Sequence, residues 1–220
     1  MILDFFIKSS TLSGEKNLAV PFVGNTKSSE IPAPEEYNYW WLRKNRHFFI
    51  DYEIMEDYSL IELGKTILQM NFEEKDIPKD ELKPIYIWVF SYGGDLDQAF
   101  CFCDICESSR IPIITVSMGI AMSAGLLIFL SGSRRYALKH SRMLVHSGSA
   151  GFQGTAEQIE EAQKDYKKQL NSMKEFILER TDIDAKLFGR NKAKDWYISG
   201  EDLLKYHVVD KLIDNIEEIF

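Results

Sequence analysis

Residues 111–130 read IPIITVSMGIAMSAGLLIFL, and this nearly uninterrupted apolar run decides the fold. Its length is close to the roughly 20 residues that a membrane helix needs. Pro112 interrupts its start, and four small or hydroxylated residues break its middle, namely Ser117, Gly119, Ser123 and Gly125. A buried strand that turns into a buried helix accounts for the same residues and explains the glycines at the turn. We therefore predict a strand followed by a helix, and no membrane span.

Strand-like and helix-like segments alternate on both sides of this run. Strands are predicted over 47–51, 85–90, 113–116, 135–138 and 143–146. Helices are predicted over 57–70, 96–108 and 123–130. Alternation of this kind is typical of an α/β fold with parallel strands and right-handed crossovers.

The segment 155–180 is predicted to form one long helix. Seven small or apolar residues recur at steps of three and four: Ala156, Ile159, Ala162, Tyr166, Leu170, Met173 and Ile177. Thr155 and Gln158 have the spacing of a capping box, which fixes the start of the helix. A helix of about 39 Å with one apolar stripe suggests an arm that packs against another subunit. Periodicity alone leaves open a surface helix packed on its own core.

The first 46 residues carry no clean hydrophobic period, so we predict an N-terminal extension over 1–46 and a body over 47–220. Residues 32–36 contain two prolines and are predicted to be a linker. Four aromatic residues follow, and we expect them to dock on the body rather than on a partner: Tyr37, Tyr39, Trp40 and Trp41.

Composition limits the classes of partner and the compartment. The net charge of −8 and the pI near 5.1 argue against nucleic-acid and anionic-membrane binding, since both need basic patches. Cys101, Cys103 and Cys106 lie too close together for a disulfide framework, which favours a reducing compartment. They also lack a fourth ligand nearby, so no metal site is predicted. No secretory leader is recognised, and we expect a cytoplasmic protein.

Three places in the sequence could support chemistry. Gly93–Gly94 follows a predicted buried strand, where bare backbone can approach a ligand. Ser123 stands where the apolar strand gives way to its helix, and His146 ends another predicted strand. A serine hydroxyl becomes a nucleophile when an imidazole takes its proton, so these two residues are a candidate catalytic pair. A plain helix cap and a structural histidine are the alternatives.

Four stretches resemble, in chain order, conserved blocks of the Clp protease proteolytic subunit. They are SYGG at 91–94, GIAMSAG at 119–125, SRMLVH at 141–146 and YHVVD at 206–210. The resemblance covers about 47–214 and implies the ClpP/crotonase fold, with stacked parallel β-sheet repeats. The helix 155–180 would be the handle that interlocks two seven-membered rings around a proteolytic chamber. The implied partners are further copies in a homo-oligomeric tetradecamer or a mixed ring, an AAA+ unfoldase and polypeptide substrates, with no cofactor.

The resemblance also implies roles for individual residues. Ser123 would be the nucleophile and His146 the general base, while the backbone N–H groups of Gly94 and Ala124 would form the oxyanion hole. The substrate would lie as an added strand between the glycine turn and the backbone after the histidine. The residues that contact this strand would be Gly93, Ser147 and Gly148.

The third triad position departs from the family pattern. The family has an aspartate ten residues after a threonine, whereas the tenth residue after Thr181 is Asn191. The next block, DWYIS at 195–199, fits without a gap, so the register is maintained. An amide can orient the imidazole but adds no charge, so weak or conditional activity is expected. Asp195 or Asp184 could substitute if the loop rearranges.

These observations predict a serine-type endopeptidase subunit of a ring-shaped Clp-like protease. One alternative is a catalytically impaired ring subunit with a structural or regulatory role, although the presence of both Ser123 and His146 speaks against it. A crotonase-like acyl-CoA enzyme would share the fold. That chemistry does not use a serine–histidine pair, and no basic cluster for the phosphates of CoA is evident.

Overall fold

The computed structural model describes residues 34–55, 59–191 and 194–220. The chain divides into two units between Arg46 and His47. The first unit contains helix α1 (Pro34–Lys44).

The helices of the second unit are α2 (Ser59–Glu73), α3 (Leu96–Ser108), α4 (Ala124–Leu130), α5 (Ala156–Arg180), α6 (Ala185–Asn191) and α7 (Glu201–Lys205). Its strands are β1 (His47–Ile50), β2 (Ile85–Ser91), β3 (Ile113–Met122), β4 (Arg134–Leu138), β5 (Arg142–Val145), β6 (Trp196–Ser199) and β7 (Lys211–Ile213). Two 3-10 turns cover Lys79–Glu81 and Ile216–Ile219.

The seven described strands form one sheet whose centre is β3. The main path runs β1-β2-β3-β4-β7, and all of its pairs are parallel. The first half of β3 pairs with β4, while its second half, from Ile120 to Met122, pairs with β5. The antiparallel strand β6 then pairs with β5. This architecture confirms the predicted α/β fold with a parallel sheet.

The apolar run over 111–130 contains β3 and α4. All seven residues of α4 are buried, and all except Gly125 belong to the main hydrophobic core together with residues of α2 and α3. A smaller apolar cluster contains Trp88, Ile114, Val116, Ile213 and Ile219. In the described residues, no helix has both the length and the apolar character that crossing a membrane requires.

Helix α1 corrects the linker predicted over 32–36, because residues 34–36 form its first turn. Pro34 is the first helical residue, a position where proline is tolerated because its missing N–H would have no helical partner. Glu35 and Glu36 lie in the first turn, and Arg43 and Lys44 in the last, which suits the helix dipole at both ends. Residues 1–33 lie outside the described part of the chain. The extension itself and the docking of its aromatic residues stay predictions.

Helix α5 begins at the predicted capping box and runs for 25 residues. Met173 and Ile177, near its C-terminal end, are buried in the main core. Towards its N-terminal end, Ile159 and Ala162 are only partly buried and Ala156 is exposed. Half of the apolar stripe is therefore packed on this chain, and the other half is still accessible.

Candidate active site

Ser123 lies in a strained turn between β3 and α4. Its backbone has φ 54° and ψ −124°, a conformation that costs a non-glycine residue about 1–3 kcal/mol. The turn is held because the N–H of Ser123 donates to the Leu144 carbonyl on β5 at 3.1 Å and its own carbonyl accepts from Leu126 at 3.0 Å. In α/β-hydrolases, a sharp strand-to-helix turn of this kind presents the nucleophile. The hydrogen bond from the Ser123 N–H ties the serine turn to Leu144, which precedes His146 by two residues along the chain.

The glycine turn after β2 presents one residue's backbone to the site. The Ile54 N–H donates to the Gly93 carbonyl, and the Asp95 N–H donates to the Ile54 carbonyl, both at 2.8 Å. Successive polar groups of an extended chain point to opposite edges, so the N–H and C=O of Gly94 face away from Ile54. In the described part of the chain neither group forms a hydrogen bond.

Positions 93 and 94 require glycine for two reasons. Their φ angles are positive, and neighbouring atoms lie too close for a Cβ. The φ angles are 107° at Gly93 and 141° at Gly94. A Cβ at Gly93 would lie 2.7 Å from the Cβ of Ser123 and 3.2 Å from the backbone nitrogen of Ala124. The glycine turn therefore packs directly on the serine turn. Ala124 is the first residue of α4, so its N–H has no partner within the helix.

Five of the predicted residues line one cavity of about 460 Å³, namely Gly93, Gly94, Ser123, His146 and Gly148. The rest of the described wall is Glu53, Tyr92, Asp95, Leu96, Leu144, Ser149, Tyr166, Gln169 and Met173. Of the predicted residues, Ala124, Ser147 and Asn191 are absent from the described wall. The structure thus brings the candidate nucleophile, the candidate base and the glycine turn together.

Several residues of the cavity wall could not be predicted from the sequence, because they come from segments that are far apart along the chain. Tyr166 belongs to the apolar stripe predicted for the long helix, and it lines this cavity from α5. A Cβ at Gly148 would lie 2.5 Å from its hydroxyl, so the segment after His146 packs on α5. The position of Leu144 in the wall could have been predicted, since it lies two residues before His146 and every second side chain of a strand points to the same face. No local pattern pointed to Glu53.

One ring nitrogen of His146 has no hydrogen-bond partner in the described structure. Its Nε2 atom is buried and has no hydrogen-bond partner among the described residues, so no hydrogen bond joins it to Ser123. A buried polar atom without a partner is rare and calls for an explanation, of which a catalytic role is one. Catalytic hydrogen bonds are often long or absent until a substrate is bound.

The three candidates for the third triad position differ in their hydrogen bonds and exposure. Asn191 ends α6, and its Nδ2 donates to the Leu187 carbonyl at 3.0 Å. No hydrogen bond between Asn191 and His146 occurs in the described structure. Asp184 caps the same helix, because its Oδ1 accepts from the Leu187 N–H at 2.7 Å. Asp195 is exposed and directly precedes β6.

The cysteines lie away from this cavity. Burial raises the pKa of the Cys106 thiol to about 12 and that of Cys103 well above its ordinary value. Both residues therefore stay protonated and pack as small apolar groups in the core.

The chain matches one known protein family over most of its length. The family model described as Clp protease matches residues 36–216, which includes every element of the sheet. The chain belongs to the Clp protease family. The resemblance inferred from the four motifs is therefore confirmed, and the match begins within α1, earlier than the predicted start near residue 47.

Three relatives of this Clp protease family member illustrate the range of similarity. The ATP-dependent Clp protease proteolytic subunit 2 of Treponema denticola is 31% identical over 139 residues, covering 62% of this chain and 70% of the relative. The protein of the same name from Treponema pallidum is 29% identical over 134 residues, covering 60% and 67%. The ATP-dependent Clp protease proteolytic subunit of Deinococcus radiodurans is 26% identical over 179 residues, covering 80% and 84%.

Proposed function

We propose that this chain is a serine endopeptidase subunit of a ring-shaped Clp-type protease, with Ser123 as nucleophile and His146 as general base. One observation carries the proposal: a strained serine and a buried imidazole nitrogen without a partner line the same cavity. Backbone strain and an unsatisfied buried polar atom both lower the stability of the fold. Such features occur preferentially at active sites. Family membership independently supports peptide hydrolysis.

The reaction can be written from these two side chains. The Oγ of Ser123 attacks the peptide carbonyl carbon while its proton passes to Nε2 of His146, which gives a tetrahedral oxyanion and an imidazolium. The imidazolium returns the proton to the departing amine as the C–N bond breaks, which leaves an acyl-serine. His146 then takes a proton from water, whose oxygen attacks the acyl carbon. Release of the carboxylic acid restores the Ser123 hydroxyl with that proton.

The glycine turn and the serine turn supply the donors for the oxyanion. The N–H groups of Gly94 and Ala124 are proposed to bind it, since the Gly94 N–H has no partner among the described residues and Ala124 begins a helix. Such a donor typically contributes a factor of about 10²–10³ to the rate. The free backbone edge of Gly94 also suits a substrate strand that lies between Gly93 and the segment of Ser147 and Gly148.

Asn191 is proposed to orient the His146 ring through its amide oxygen. Its Nδ2 atom already donates to Leu187, which leaves the oxygen as an acceptor. Asn191→Ala is expected to lower kcat for peptide hydrolysis about ten-fold, because one hydrogen bond of about 1.4 kcal/mol in the transition state is lost. Asn171→Ala removes an exposed amide on α5 and is the matched control. An unchanged kcat in Asn191→Ala would contradict the orienting role.

The accessible part of the α5 stripe is proposed to pack against another subunit, as the handle of two stacked heptameric rings or of a mixed ring. Ile159→Arg is expected to reduce the sedimentation coefficient to that of smaller species, because a charge would be buried at the contact. Gln163→Arg on an exposed position of the same helix is the control. Sedimentation velocity measures both variants. Wild-type protein that sediments as a monomer at micromolar concentration would contradict the assembly.

The relatives' names include ATP dependence, which supports an AAA+ unfoldase as partner and unfolded polypeptides as substrates. The role of residues 1–46 and the cytoplasmic location stay predictions.

A catalytically impaired ring subunit is the second candidate, and one observation favours it. The Asn191 amide donates within its own helix and forms no hydrogen bond with His146 in the described structure. Labelling with a fluorophosphonate distinguishes the two, since only a serine activated by its base reacts. An acyl-CoA enzyme is disfavoured, because no lysine or arginine occurs in the described wall of the cavity.

A further inference from the structure

Ser91 is a buried serine at the end of β2, two residues before the glycine turn. Only 1% of its surface is exposed, and its hydroxyl takes part in two hydrogen bonds. The Oγ atom donates to the Tyr52 carbonyl at 2.7 Å and accepts from the Gly93 N–H at 3.2 Å. One hydroxyl therefore joins the end of β2, the glycine turn and the segment that leads to Ile54.

The direction of the proposed oxyanion donor is set by two neighbouring peptide groups. The Gly93 carbonyl accepts from the Ile54 N–H at 2.8 Å. The Gly94 N–H belongs to the same planar trans peptide, so it points the opposite way, away from Ile54. The preceding peptide group is held at its own N–H by the Ser91 hydroxyl. Hydrogen bonds therefore fix both peptide planes that flank the Cα atom of Gly93.

This turn depends on such restraints because it is built from two glycines. Glycine has more backbone freedom than any other residue, and it carries no side chain that could restrict rotation. If the hydrogen bond at the Gly93 N–H is lost, the turn can rotate and the Gly94 N–H changes direction. The hydroxyl of Ser91 thus supplies a restraint that the turn itself lacks.

Ser91 also packs against the helix that carries the second proposed donor. Gly125 follows Ala124 in the first turn of α4. A Cβ at Gly125 would lie 3.1 Å from both the Cβ and the carbonyl oxygen of Ser91. Ser91 is therefore in contact with the start of α4 and bonded to the glycine turn, so it sets the Gly94 donor relative to the Ala124 donor. Two donors stabilise an oxyanion only when both are aimed at the same oxygen atom.

We propose that Ser91 is a positioning residue for the oxyanion hole, whose hydroxyl holds the glycine turn so that the Gly94 N–H points at the developing oxyanion. This inference rests on the proposed function. Ser91 is absent from the described wall of the cavity, so it acts through the backbone of the turn rather than on the substrate. A serine that only satisfied the Tyr52 carbonyl would contribute to stability and leave the rate unchanged.

The test is peptide hydrolysis by Ser91→Ala. We expect kcat to fall about ten-fold to 10²-fold, less than or equal to the loss of a whole oxyanion donor. KM should change less than two-fold, because the oxyanion forms only after the attack on the carbonyl. A peptide boronate forms a tetrahedral adduct with a nucleophilic serine and mimics the transition state. Its Kd should therefore rise by about the factor by which kcat falls.

Ser131→Ala is the matched control. Ser131 is also buried, and its Oγ atom donates to one backbone carbonyl, that of Ile128, at 2.7 Å. Both variants lose a buried hydroxyl and its hydrogen bond, so both should unfold at a lower temperature, but Ser131→Ala should keep the wild-type kcat. Ser91→Cys keeps the size of the side chain and a weak donor, so its kcat should lie between those of the wild type and Ser91→Ala. It also provides a second variant if Ser91→Ala does not fold.

A crystal structure of Ser91→Ala, or of Ser91→Cys, gives a readout that does not need turnover. We expect the peptide group between Tyr92 and Gly93 to rotate and the Gly94 N–H to leave its wild-type direction. An unchanged turn overturns the inference, and so does a wild-type kcat in Ser91→Ala. A fall in kcat that leaves the boronate Kd unchanged also overturns it. Cleavage retained in Ser123→Ala would instead overturn the proposed function, so the two failures are distinguishable.

Discussion

Replacing Ser123 by alanine is expected to abolish peptide cleavage and fluorophosphonate labelling together. The hydroxyl is the proposed attacking group, and no other step of the proposed reaction can begin without it. Loss of a serine nucleophile removes a factor of at least about 10³, and usually far more, from kcat. The α4 helix and the glycine turn are retained in this variant, so the fold and the assembly should persist.

The measurement is hydrolysis of a fluorogenic peptide, with mass spectrometry to locate the labelled serine. Ser149→Ala is the matched control, because Ser149 lines the same cavity and is exposed. It should keep wild-type labelling and cleavage. Cleavage that persists in Ser123→Ala would remove the assignment of the nucleophile. A wild-type protein that neither cleaves nor labels, but assembles, would support the impaired ring subunit.

Gly94→Ala is expected to cause the second largest loss. A Cβ at this position would lie 1.9 Å from the Ile54 carbonyl oxygen, and φ is 141°, so the turn must move. Any such movement shifts the N–H that is proposed to bind the oxyanion. We expect kcat to fall about 10²–10³-fold, the loss expected for one oxyanion donor.

Thermal unfolding should accompany the kinetic measurement, because the displaced turn also packs on the serine turn. Gly151→Ala is the control, since a Cβ there meets no atom within 4 Å. If Gly94→Ala is too unstable to purify, Gly93→Ala provides a second variant, whose Cβ would lie 2.7 Å from the Cβ of Ser123. A folded Gly94→Ala variant with wild-type kcat would contradict the oxyanion role of this turn.

Much of the fold could be predicted from local features of the sequence. The apolar run over 111–130 predicted β3 and α4, because a buried strand and a buried helix need apolar residues on every side. Thr155 and Gln158 fixed the start of α5 through a reciprocal cap. The segment 96–108 was predicted with the bounds that α3 has. Helix α1 was missed, because two prolines and an aromatic cluster masked its charged ends.

The sequence by itself determined the elements with a strong local period, their caps and the motifs that carry Ser123 and His146. Such features depend on neighbouring residues along the chain. Only the tertiary structure decided that β3 changes partner midway and that Tyr166 lines the cavity. Strands as short as β6 and β7 carry too few residues for a period. Strand register depends on contacts between distant segments, and no local pattern records it.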